Sequence, residues 1–159
     1  MRAGAILLVA ALAMGCEPAD VAGNYTVNLT NGENGCALTN WTVGEMTNAV
    51  PVVVVQDGDQ VQLDVMGVGG TLLDLAVGSS LFTGQVGGNG ITAALIGDNT
   101  ARQGECVYTT TIDLDASVSG DFMEGQLRWR PVTNHHADCG VLESCENLQT
   151  FNGSRPPST

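Results

Sequence analysis

The chain has 159 residues, with five Arg, no Lys and seventeen Asp and Glu, for a formal net charge of −12. That balance argues against nucleic-acid binding, which needs a basic footprint, and against lying flat on anionic lipid headgroups. The length fits one domain, able to bury about two-thirds of the surface its unfolded chain exposes.

Met1-Arg2 is followed by a small, apolar run from Ala3 to Met14 and then by Gly15-Cys16. A short basic start, a brief apolar segment and a small residue before the break predict a secretory signal over residues 1–15 rather than a membrane span. Leu12-Ala13-Met14-Gly15-Cys16 resembles the lipobox of bacterial lipoproteins. The resemblance implies cleavage before Cys16, which then carries thioether- and amide-linked acyl chains, palmitate among them. It implies a cell-envelope protein held to a membrane by lipid. Glu17 is not the Asp that retains such proteins at the inner membrane of enteric bacteria, which points to the outer membrane. Cleavage would leave 144 residues with four Arg against seventeen acids, a net charge of −13. Residues 16–22 are then the lipidated cysteine and its tether, and the folded domain is expected over 23–159. Fully extended, the six residues 17–22 reach about 20 Å.

Beyond the leader, apolar residues alternate and Gly and Asn punctuate the chain, the pattern of strands. Eight strands are expected, at 23–30, 51–56, 59–67, 80–87, 90–97, 106–118, 121–132 and 147–155, with no long helix. Tight turns are expected at Asp57-Gly58, Gly88-Asn89 and Ser119-Gly120. The last would set Ile112, Leu114, Ala116 and Val118 opposite Leu127, Gly125, Met123 and Asp121, with Thr110 opposite Trp129. Asp113, Asp115, Arg128 and Arg130 would face outward. Gly84, Ala93, Ala116 and Gly125 are small inward positions. The tight turns share one end with both chain termini. The long connections (31–50, 68–79, 98–105 and 133–146) share the other. The expected fold is all-β, a single eight-stranded antiparallel up-and-down β-barrel with a loop-rich mouth, because closure removes exposed sheet edges. A two-sheet β-sandwich is the alternative.

Gly23-Asn24-Tyr25 opens the first strand and Phe151-x-Gly153-x-Arg155 closes the last. This pattern resembles the lipocalin and avidin barrels, which begin with Gly-x-Trp, and in which lipocalins pack a late Arg on that ring. The resemblance implies that Tyr25 and Arg155 form a barrel-closing pair, a cation–π contact worth about 0.5–1 kcal/mol.

Five cysteines are present. With Cys16 lipidated, Cys36, Cys106, Cys139 and Cys145 remain, an even set that reads as two disulfides with three possible connectivities. In a closed barrel the first strand neighbours the last, so adjacent loops favour Cys36–Cys145 and Cys106–Cys139. The rival is a Cys139–Cys145 ring with Cys36–Cys106 reaching across the mouth.

No catalytic motif stands out, and no cofactor is implied. His135, His136 and Asp138 beside Cys139 are the one metal-like group, but adjacent histidines in an extended segment point opposite ways. Asp57-Gly58-Asp59 lacks the further ligands of a calcium loop, and Gly78-Ser79-Ser80 is no nucleophile elbow. The interior is more informative. The inward row Val118, Ala116, Leu114, Ile112, Thr110, Tyr108 grades from aliphatic to polar toward the mouth, with Trp129 nearby and Trp41 in the first long loop. Tyr108, Thr110, Trp129 and Trp41 are therefore the expected ligand-binding residues. An eight-stranded barrel has room for its own side chains or for one small ligand. The expected function is an envelope binding module for a small hydrophobic ligand or an envelope protein. A filled structural barrel is the alternative, and an enzyme the least expected.

Overall fold

The computed structural model describes residues 18–157. The leader and Cys16 lie outside the described residues. All eight expected strands form, with one short addition: β1 (Gly23–Asn34), β2 (Met46–Asp57), β3 (Gln60–Val65), β4 (Leu81–Gly87), β5 (Gly90–Ile96), β6 (Ala101–Gln103), β7 (Cys106–Ser119), β8 (Phe122–Thr133) and β9 (Asn147–Ser154). Pairing runs antiparallel from β1 through β5, then β5 to β7, β8 and β9, and β9 returns to β1. The ring is a closed eight-stranded up-and-down barrel, not a sandwich. β6 pairs only with the mouth end of β7. Alternation drives the closure: Ile112, Leu114 and Val118 are buried inside, while Arg128 and Arg130 pair diagonally with Asp115 and Asp113 on the outer face.

Two of the three tight turns sit one residue later than expected. The central pairs are Gly58-Asp59, Gly88-Asn89 and Gly120-Asp121. Glycine takes the first central position at φ +63°, +61° and +60° respectively, and the following Asp or Asn is not left-handed. That is the pattern of a II′ turn, which wants glycine first, rather than of a turn with positive φ at both positions. Moving the turn by one residue moves the pairing by two, so the inward face is kept and the partners change. Ile112 lies opposite Trp129, Leu114 opposite Leu127, Ala116 opposite Gly125, Val118 opposite Met123, and Thr110 opposite Pro131. Gly58→Val, which forces a β-branched residue to positive φ, is expected to cost about 1–3 kcal/mol. A urea midpoint equal to that of the unaltered protein would contradict this.

The long connections carry more structure than expected. β1 and β2 extend toward the mouth, so the first loop shrinks to residues 35–45. The 68–79 segment, expected as a loop, holds α1 (Gly67–Ala76). Leu72, Leu73, Leu75 and Ala76 are strong helix formers. Asn99 Nδ2 closes the helix C-terminus by donating to the Asp74 and Leu75 carbonyls at 3.2 and 3.1 Å. A Cβ at Gly70 would collide with the Val65 carbonyl oxygen, so glycine there lets the helix lie against β3. A short 3-10 helix (Ala137–Glu143) crosses the last long connection. It brings together two disulfides, Cys36–Cys145 and Cys106–Cys139, with Cα separations of 4.9 and 4.8 Å. These are the neighbouring-loop pairings.

The end opposite the mouth is filled by Val21, Tyr25, Val61, Val86, Ile91, Val118 and Met123. The small positions Gly84, Ala93, Ala116 and Gly125 pair with one another across strands. A Cβ at Gly125 would strike the Asp115 carbonyl oxygen. These residues permit close strand contact where the barrel bends, and they do not border the cavity described below. Residues 19–22, expected as part of the short tether, fold across the closed end. Ala19 N–H donates to the Gly88 carbonyl at 2.9 Å, and Val21 N–H donates to Gln56 Oε1 at 2.8 Å. Arg155 secures them. Its guanidinium donates to the Ala22 carbonyl, to the Asp20 carbonyl at 3.2 Å and to Asp121 Oδ1 at 3.2 Å. It also stands 5.7 Å from the centre of the Tyr25 ring.

Candidate ligand-binding site

Above the filled end the barrel encloses a cavity of about 600 Å³, within the range of small-molecule sites. Phe82, Leu114, Met123, Leu127 and Phe151 form its lower part, and Val27, Val50, Val52, Leu63 and Val65 its wall. Leu73 and Val77, at the end of α1, close one side. Leu38, Asn40, Leu72 and Ala76 also border it and are solvent-exposed, so the cavity reaches the mouth. Around that opening Val43, Met46, Met66, Val68 and Leu75 are exposed as well, giving an apolar rim.

Tyr108, Thr110, Trp129 and Trp41 all border the cavity. Trp41 meets Trp129 edge-on, with ring centres 6.2 Å apart and planes at 73°. Trp41 Nε1 donates to the Gly32 carbonyl at 3.1 Å, which fixes the first loop over the mouth. The upper wall is more polar. Gln149 Nε2 donates to Asn31 Oδ1 at 2.8 Å, and Asn147 Oδ1 accepts the Cys36 N–H at 2.9 Å. Trp129 Nε1 and Asn147 Nδ2 are buried without a hydrogen-bond partner. An unmet buried donor costs about 1–3 kcal/mol. Among the described residues, the one charged residue bordering the cavity is Arg130, whose guanidinium is engaged outside by Asp113.

No protein-family model matches this chain, and no curated protein or solved structure is detectably similar to it. What the cavity does must therefore be read from its own chemistry.

The other sequence candidates lie elsewhere. Tyr25 and Arg155 sit together at the closed end, away from the cavity. The buried Tyr25 hydroxyl donates to the Val21 carbonyl at 3.1 Å, and burial pushes its pKa above the usual phenol value. His135 Nδ1 meets Glu143 Oε2 at 2.9 Å, a contact that holds the Glu143 carboxyl below its ordinary range. His136 Nδ1 instead accepts the Asp138 N–H at 3.2 Å and starts the 3-10 helix. Asp138 Oδ2 accepts the Glu105 N–H at 2.9 Å. Each of these groups braces a different piece of loop, and among the described residues no cluster of metal-ligating side chains forms.

Sequence reasoning missed Asn147, Gln149 and the helix residues Leu72, Leu73 and Val77. The amides could have been found. Asn147, Gln149, Phe151 and Gly153 alternate as one buried row along β9, so two amides had to point inward.

Proposed function

We propose that this protein is a lipid-anchored lipoprotein of the bacterial cell envelope whose barrel holds a small apolar or amphipathic ligand. The observation that carries the reading is the apolar cavity of about 600 Å³, open at the end of the barrel opposite Ala19 and Arg155. A filled structural barrel would leave no such space, so the cavity favours binding over a purely structural role. The apolar rim fits passage of an amphipathic molecule. Anchoring at Cys16 would hold the closed end toward the membrane. Ala19 is already bonded to the barrel, so only Glu17 and Pro18 stand between it and Cys16, a reach of about 10 Å over three Cα steps. The mouth then faces away from that membrane, and Glu17 favours the outer one.

Native mass spectrometry of protein taken gently from membranes tests the ligand. A bound small molecule, lost on denaturation, is expected. Instead, a stable complex with another envelope protein seated on the rim would favour the partner reading. The anchor is tested separately. Cys16→Ser is expected to move the protein to the soluble fraction with an unchanged circular dichroism spectrum, because stable anchoring takes more than one lipid signal. Retention in membranes washed with high salt would refute the lipid anchor.

A further inference from the structure

We propose, resting on the reading of the cavity as a ligand site, that its ligand is an uncharged molecule with one hydrogen-bond-accepting oxygen, such as an ester, amide, ketone or alcohol. The oxygen takes hydrogen bonds from Trp129 Nε1 and Asn147 Nδ2, and the hydrocarbon part fills the space below. Trp129 and Asn147 are direct partners across β8 and β9, and both border the cavity. Their two donors are the buried side-chain groups left without a partner among the described residues. Folded proteins keep few such groups, and each calls for an explanation. Two other polar side chains at the cavity, Trp41 and Gln149, are met by the Gly32 carbonyl and by Asn31.

The Asn147 amide is also fixed in direction. Cys36 N–H can only donate, so the atom facing it must be Oδ1, and Nδ2 is turned away. Cys36 is in turn held by its disulfide to Cys145. The two donors are thus preset before any ligand arrives, and what two donors recognise is an acceptor.

Charge decides between a neutral acceptor and a carboxylate. The sole cation bordering the cavity among the described residues, Arg130, is paired outward with Asp113. A carboxylate would be buried with no countercharge, beneath a surface already strongly negative. A neutral oxygen meets the same donors without that penalty.

The test titrates the folded protein with methyl decanoate, decanoate and undecane, read by tryptophan fluorescence. Trp41 and Trp129, the chain's two tryptophans, both lie at the cavity. The ester is expected to bind about threefold to tenfold more tightly than the hydrocarbon. Decanoate is expected to bind on the order of a hundredfold more weakly than the ester. In Trp129→Phe, with Trp41 as reporter, the ester should lose its advantage while undecane binds as before. Equal binding of ester and undecane, as a water resident on the two donors would give, overturns this inference and leaves the cavity a ligand site. So does tighter binding of decanoate, or an equal loss for both neutral probes in the variant. Binding by none of the three overturns the ligand site as well. The three-probe comparison on the unaltered protein decides the matter even where the variant fails to fold.

Discussion

Replacing Cys36 and Cys145 together by Ala is expected to remove about 4–5 kcal/mol of stability, against about 3–4 kcal/mol for Cys106 and Cys139 replaced together. The difference follows from loop length. The first bridge spans 109 positions and the second 33, and the entropy removed from the unfolded chain grows with the logarithm of that span. The first bridge also ties the end of β1 to the start of β9, the seam where the ring closes. A domain of this size has about 5–15 kcal/mol in all, so either loss is a large part of the total. Urea unfolding of the two double variants under non-reducing conditions measures both. Equal losses, or a larger loss for the shorter span, would contradict the loop-length account.

Arg155→Ala is expected to cost about 2–3 kcal/mol, by removing hydrogen bonds from a charged group and a cation–π contact. The side chain holds Asp20, Ala22 and Asp121 at once over the Tyr25 ring. Lys, with one compact ammonium, cannot reproduce a planar fork that reaches several acceptors. Arg155→Lys should therefore recover only a minor share of the loss. Hydrogen exchange gives a local readout, because the Ala19 and Val21 amides, bonded to Gly88 and Gln56, should lose protection first. Unchanged protection there would show that residues 19–22 are held by something other than Arg155.

Alternation and turn chemistry made the barrel legible because both are local signals, and they agree in the six strands joined by the three tight turns. Parity then placed the long loops together and made the disulfide pairing a consequence of topology. The turn positions were less legible, because Asp-Gly and Gly-Asp overlap within Asp57-Gly58-Asp59, and only the backbone shows which pair is central. α1 was hidden by Gly67, Gly69 and Gly70, which lower helix propensity yet serve its close packing against β2 and β3. Of the four residues expected at the mouth, Tyr108 and Thr110 were readable from the gradient along β7, Trp129 from its place on the neighbouring strand β8, and Trp41 from its place in the first long loop. The unmet donors were not, since an orphan is defined by its surroundings and not by its identity.

The pairing of β1 with β9 also sets when the molecule can finish folding. Thr26 bonds alongside Ser154, and Asn34 alongside Asn147, so the first strand waits for nearly the last residues. Until they arrive, β1 and β8 present raw edges, and contacts this distant in sequence form slowly. A chain synthesised from its N-terminus can assemble the meander as it emerges, but it cannot seal the ring before β9. A nascent chain cut before β9 would not be a smaller barrel. It would be an open, apolar sheet with two edges able to pair with a neighbour, so this architecture ties its protection from edge-to-edge association to the arrival of β9.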